Sequence, residues 1–262
     1  MNRIELPYLT TARATGRDAA GFLQAQLTAD LSRLADSASG FSAYCNPKGN
    51  VLALLRVIRR GDDYLLVAAR DLMESLLNTL GKFVLRAQVR IEPVEAVVVG
   101  IGDRERLDYA LEAGDFCGDV KAVSDWRVRE LHAGIAWLGP QTSGQFLPQM
   151  LGFDRLGAVS FRKGCFPGQE VIARVRYLGK IKRLPLIASF KGTAGLEPGA
   201  EVDLHGEDGP VGSAVVVDSA ASGDETVCFL VARNPEDRPV IALESGGKRL
   251  ELSEPAQTWA TM

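Results

Sequence analysis

SFRKGCFPGQEVIARVRYLGKIKR, Ser160 to Arg183, is the stretch from which the rest of the chain is read. It sets Cys165 between Gly164 and Gly168 and gathers seven basic residues around one acid, Glu170. Glycines on either side of a side chain mark backbone that turns sharply or approaches a ligand. Pro167 suits the first turn of a helix. Val171, Ile172 and Val175 then recur at helical spacing, and Gly179 follows as a stop. Cys165 is thereby expected just before a helix N-terminus, where the helix dipole, with Arg162 and Lys163, favours thiolate over thiol. It is the candidate reactive group. The plain alternative is a small buried hydrophobe, the commoner fate of a lone Cys beside Phe. The basic run Arg174, Arg176, Lys180, Lys182 and Arg183 reads either as a guide for an anion or as a solvated face in which Glu170 and Arg174 pair at i,i+4.

The 262 residues, 46% hydrophobic and 24% charged, suit one large or two smaller globular domains. A net charge of −3 excludes a protein that coats nucleic acid with its whole surface, though not a local basic patch. Cys45, Cys117, Cys165 and Cys228 form no CxxC pair and are too sparse for a disulfide framework, which points to a reducing compartment. Arg3, Glu5 and Pro7 interrupt any signal peptide, and no apolar run reaches membrane-spanning length. The expectation is a cytoplasmic protein away from membranes.

Upstream, Asp18 is a candidate N-cap for a helix carrying Phe22, Leu23, Leu27, Leu31 and Leu34, breakable at Thr28 and Asp30. FSAYC and NVLALLRVI flank Asn46–Gly49, whose Pro and Gly positions predict a type I turn and a β-hairpin. The strand YLLVAA leads to a helix with Asp71 and Glu74 as capping box, and a strand returns from Val84. VEAVVVGIG reads as a buried strand, Arg104–Gly114 as an amphipathic helix, and Val128–Gly139 as another strand. After Arg183 come six short alternating segments separated by turns, the pattern of a small barrel or sandwich. Paired strands around helices predict an α+β layer fold with a mixed or antiparallel sheet.

The octet KGCFPGQE, Lys163 to Glu170, closely resembles the motif of the YgfZ family of folate-binding proteins, relatives of the glycine-cleavage aminomethyltransferase. FLQAQLTAD (22–30), YCNPKGNVLALLRV (44–57) and SGQFLPQ (143–149) are similar to other segments of that family. The resemblance implies two aminomethyltransferase-like α/β subdomains forming a folate cleft, followed by a small C-terminal antiparallel β-barrel. The implied boundaries are 1–92, completed by 143–182, then 93–142, then 183–262. The implied ligand is tetrahydrofolate or a one-carbon derivative, with contacts at Trp126, Lys48, Gln169, Glu170 and Arg174, and with Cys165 and Lys163 at the functional thiol. An indole at 126 would stack on a pterin or aminobenzoyl ring, and a core or rim tryptophan is the alternative. The implied role is support of iron–sulfur cluster assembly or repair and of iron–sulfur-dependent tRNA modification. Implied partners are iron–sulfur enzymes or assembly proteins, with an indirect link to tRNA-modifying enzymes.

Departures from the relatives matter too. The acidic pair of the transferases aligns with Ala53 and Leu54, side chains that neither take a proton nor steady a cation. His132 stands where relatives carry Glu, and a second family tryptophan aligns with Leu9. A one-carbon transferase working through other residues and a folate-free thiol adaptor remain as rival readings. With only His132 and His205, and neither in metal spacing, no metal site is expected, and four scattered cysteines do not make a stable cluster site.

Overall fold

The computed structural model of the chain describes residues 2–102, 107–112, 119–179, 181–192, 196–233, 238–254 and 256–258. Strand β1 (Asn2–Glu5) and strand β2 (Leu9–Thr15) lead into helix α1 (Ala19–Gln26), which stops before Thr28. Asp30 then caps a short 3-10 turn at Leu31–Arg33, accepting from Ser32 N–H at 3.2 Å. The hairpin expected around Asn46–Gly49 is present as β3 (Ser39–Cys45) and β4 (Val51–Arg60). β5 (Asp63–Ala69), α2 (Arg70–Gly81) and β6 (Arg90–Val94) follow. These strands make a five-stranded antiparallel sheet in the order β3-β4-β5-β2-β6. β4 lies inside that sheet with Ala53, Leu54 and Leu55 all buried, which explains its nearly unbroken apolar run.

β7 (Val97–Gly102) pairs with β1 on one side and β8 (Leu107–Glu112) on the other, forming a second, three-stranded antiparallel sheet. α3 (Val120–His132) is capped by the Asp119 carboxylate, which accepts from Lys121 N–H at 3.0 Å. Here the structure corrects two expectations. The described part of the segment expected as a helix, 104–114, is β8, and the segment expected as a strand, 128–139, begins inside α3 and continues as a buried, irregular run. Leu107 and Leu111 fit a helix by spacing, but the apolar edge of β7 is satisfied by a ladder that no local period reveals. The strand expected from Val84 starts later, at Arg90, and α2 has Ala69 as its N-cap residue with no side-chain cap, so Asp71 and Glu74 make no capping box.

The motif helix α4 (Gln169–Leu178) precedes the third sheet. β9 (Arg183–Lys191), β10 (Glu201–Gly206), β11 (Gly209–Ser222), β12 (Glu225–Arg233), β13 (Ala242–Ser245), β14 (Lys248–Glu251) and β15 (Gln257–Thr258) pair in the order β14-β13-β10-β11-β12-β9-β15, again all antiparallel. The expected C-terminal barrel is not closed among the described residues, because no ladder joins β14 to β15. β14 and β15 stand at the two edges of this sheet as described. An isolated bridge between Phe190 and Leu252, with Ser253 N–H donating to the Ser189 carbonyl at 2.7 Å, draws the last hairpin back toward β9.

A buried acid ties the three sheets. Glu130 on α3 is fully buried and accepts from Tyr8 Oη (2.7 Å), Tyr109 Oη (2.6 Å) and Trp137 Nε1 (3.0 Å). Arg127, one turn earlier, pairs with Asp218 of β11, whose other oxygen accepts from Trp137 N–H at 3.0 Å. Tyr8 leads into β2, Tyr109 lies on β8 and Asp218 on β11, so one guanidinium and two carboxylates span all three sheets. Burial raises both carboxyls above the usual range, with Arg127 opposing that rise. Removing the cation strands two buried anions. Arg127→Met is therefore expected to lower stability by about 3–5 kcal/mol near neutral pH. A carboxyl whose folded pKa is raised holds its proton more tightly folded than unfolded, so falling pH favours the folded variant and the deficit shrinks towards pH 5. Urea melts at the two pH values check this; a deficit under about 1 kcal/mol, or one independent of pH, contradicts it.

Candidate functional site

Thr28 organises the surroundings of the motif. It is fully buried; its hydroxyl sits 2.6 Å from the Ala158 carbonyl and accepts from Ala43 N–H at 2.8 Å, while its own carbonyl accepts from Ser160 N–H at 2.9 Å. The chain just past α1 is thus joined to β3 and to the segment entering the motif. Lys163 completes the join. Its side chain is buried, and Nζ donates to the carbonyls of Gln24, Leu27 (2.6 Å) and Ala29 (2.9 Å), with Phe166 below it at 5.5 Å. Gln24 lies in the last turn of α1, where the helical ladder leaves carbonyls open, Leu27 is the C-cap residue and Ala29 lies just beyond; an ammonium with three donors matches the three carbonyls one for one. Burial lowers the Lys163 pKa to about 8, with Asp30 opposing, which leaves the ammonium mostly charged at neutral pH.

The other end of the loop is held by close backbone contact. Gly168 is the N-cap residue of α4 with φ +79°, and a Cβ there would stand 2.4 Å from Gly49 Cα and 2.7 Å from the Asn46 carbonyl oxygen. Only glycine allows this approach of the two turns. Gly164, by contrast, has open space around its Cβ position, so of the two bracketing glycines Gly168 is the one the packing demands. Pro167 precedes the N-cap instead of entering the first turn. Gln149 of the SGQFLPQ segment is buried and donates from Nε2 to the Ile172 carbonyl at 2.7 Å, holding α4 from beneath.

Between these two anchors Cys165 is exposed, next to buried Phe166. Cys45 and Cys228 are buried, and burial pushes both thiols up, that of Cys228 to about 12. Cys117 and Lys180 lie outside the described residues. The five expected folate residues do not converge. Lys48, Glu170 and Arg174 are exposed and Gln169 is half-buried. Trp126 is fully buried elsewhere, in the core. A Cβ on Gly100 would lie 2.7 Å from its ring, Arg129 Cζ stands 5.1 Å from the ring centre, and Tyr109 meets it edge-on at 6.0 Å. Trp126 is thus placed as a core residue, the alternative to a stacking ring.

The concave feature beside the motif is a cleft of about 520 Å³ between the 3-10 turn, β3 and the motif loop. Its apolar side is Leu31, Phe41, Val159 and Phe161; its charged rim is Arg33, Arg162 and Arg176 against Asp30. Among the described residues Arg33 and Arg162 make no ion pair, while Arg176 lies over Phe161 at 4.5 Å and reaches Asp154 at 3.6 Å. A second cleft, about 720 Å³, opens beside Tyr8, Arg127 and Asp218. There Asp71, Glu197 and Asp218 face Arg127, already paired, and Arg70, whose guanidinium donates to the Pro7 (2.7 Å) and Leu9 (3.0 Å) carbonyls. An anion is favoured in the first cleft and repelled in the second. Neither the Lys163 clasp nor the arginine rim was foreseen from the sequence; the spacing of KGC gives no hint that the lysine turns inward.

No family model matches the chain. It is 31% identical to an uncharacterized protein of Haemophilus influenzae over 82% of this chain and 85% of that one. It is 26% identical to the tRNA-modifying protein YgfZ of Cronobacter sakazakii (77% and 75% covered) and 29% identical to that of Escherichia fergusonii (74% and 73%). Among solved structures, the glycine cleavage system aminomethyltransferase T of Bartonella henselae superposes with a TM-score of 0.68 over 96% of this chain and 84% of that one, at 16% identity, a likeness of fold.

The two anchors separate the roles of the motif. Lys163→Met leaves three carbonyls without their donor and is expected to cost about 2–4 kcal/mol in urea melts. Cys165→Ser, at an exposed site, shifts stability by less than about 1 kcal/mol. In mass-resolved alkylation of the folded protein Cys165 reacts well before Cys45 and Cys228. Equal rates at the three, or a Lys163→Met protein as stable as the parent, contradict this division.

Proposed function

Because the chain belongs to the YgfZ family, whose named members are tRNA-modifying proteins, we propose that it supports iron–sulfur-dependent tRNA modification through the Cys165 thiol, with a folate as its ligand. The observation that carries this reading is the exposed thiol on a loop held at both ends, by the Lys163 ammonium and by the Gly168–Gly49 contact. A side chain held outward so firmly is presented to something outside the chain. Lys163 acts by positioning that loop; its donors are all engaged, so it is not the acid or base of a reaction.

The folate is assigned to the cleft beside the motif. Folates join a planar ring system to carboxylates, and this cleft joins an apolar, aromatic side to guanidiniums free to take a carboxylate bidentately. Aminomethyl transfer finds less support. Ala53 and Leu54, where the transferases carry their acidic pair, are packed in the core, 2% and 1% exposed. No titrating group stands on that stretch of β4 to activate a carbon or accept a proton.

Two measurements test the reading. In a bacterial strain lacking its own homologue, the parent chain is expected to restore 2-methylthio nucleosides in tRNA, read by mass spectrometry, and Cys165→Ser to fail while accumulating as folded protein. Equal restoration by both removes the thiol from the function. By calorimetry with tetrahydrofolate, the double variant Arg33→Gln, Arg162→Gln should bind about tenfold more weakly, a loss of about 1.4 kcal/mol. Unchanged affinity removes folate from this cleft.

A further inference from the structure

Helix α4 carries an outward stripe, Val171, Arg174 and Leu178, with no partner among the described residues. Ile172 is its fully buried residue and fixes which side faces the core. Away from it Val171, Arg174 and Leu178 follow at i, i+3 and i+7, while Tyr177, next to Leu178, turns to Phe161, whose ring it meets edge-on at 6.4 Å beside the first cleft. Val171 is 36%, Tyr177 67% and Leu178 87% exposed. They are three of the six large hydrophobic side chains exposed among the described residues, set on one ten-residue helix. Solvated helix faces are normally polar, and an apolar stripe at this spacing is what a helix offers to a groove on another protein.

The charge around the stripe narrows the partner. Arg174 lies within it, Lys182 is exposed just beyond the helix, and Glu170 is the one acid on α4. The chain as a whole carries −3, so this basic character is local. We propose that the α4 stripe docks an apolar groove rimmed by carboxylates on a partner protein, and that this docking brings the partner to Cys165, which precedes the same helix by four residues. The inference rests on the reading of Cys165 as a thiol that acts outside its own chain. RNA also seeks basic, aromatic surfaces, but its phosphates have no use for Leu178 and Val171, the most and least exposed members of the stripe.

The test uses the full chain in cells with a photo-crosslinking phenylalanine analogue at Leu178, and the same analogue at Leu85, 85% exposed and outside α4, as control. The species joined at 178 and absent at 85 is identified by mass spectrometry, purified and titrated against the parent chain, Leu178→Asp and Arg174→Glu. The proposal expects a protein whose affinity falls at least tenfold with either substitution and also weakens between about 50 and 200 mM salt. Crosslinking to RNA, no species above the control, or a partner indifferent to both substitutions overturns it. Cellular 2-methylthio-tRNA separates the two ideas. If Leu178→Asp restores modification as the parent does while Cys165→Ser fails, the docking surface falls and the thiol reading stands; if Cys165→Ser restores modification, the thiol reading falls, whatever the crosslink shows.

Discussion

The site depends on one buried cation. Transferring the Lys163 ammonium from water is costly, and three carbonyls make it tolerable, that of Gln24 in the last turn of α1 and those of Leu27 and Ala29 just past it. These contacts fix the motif loop to the end of α1 and the chain just past it. At the loop's far end Gly168 brings α4 against the Asn46–Gly49 turn closely enough to exclude any side chain. Cys165, between a charge clasp and a steric one, has its direction set by neighbours that do not touch a ligand.

A second buried charge group does for the sheets what Lys163 does for the loop. Glu130, Arg127 and Asp218 meet where the three sheets converge, and Tyr8, Tyr109 and Trp137 each donate to this group from a different part of the chain. These polar contacts define one mutual placement of sheets that apolar packing alone would allow to slide. On β4, Ala53 and Leu54 are buried apolar side chains of the first sheet. The likeness to the aminomethyltransferase of Bartonella henselae, at a TM-score of 0.68, is one of fold.

What could be read in advance follows from how local each signal is. The Asn46–Gly49 hairpin, the stop of α1 before Thr28 and the motif helix ending at Gly179 are written within a few neighbouring residues, and the structure contains all three. The exposure of Cys165 also agreed with its setting between turn residues. The exchange of helix and strand between 104 and 139 went unseen because Leu107 and Leu111 fit either period, and the pairing of β8 with β7 decides between them. Trp126 was placed by alignment, which carries a position but not the Gly100 backbone that covers the ring. From the motif alone Lys163 is expected as a neighbour that acidifies the thiol. Its acceptors lie more than 130 residues earlier in the chain, a contact no motif spacing encodes.

The lysine of the motif is a structural clasp and not an exposed chemical group. Acetylation of the folded protein with a water-soluble ester, followed by peptide mass spectrometry, measures it directly. Lys48, exposed on the neighbouring turn, serves as the internal reference. With its three donors engaged and its side chain buried, Lys163 should stay unmodified long after Lys48 is fully acetylated, and should react only once the protein is unfolded. Acetylation of Lys163 at the rate of Lys48 in the folded protein would contradict the account.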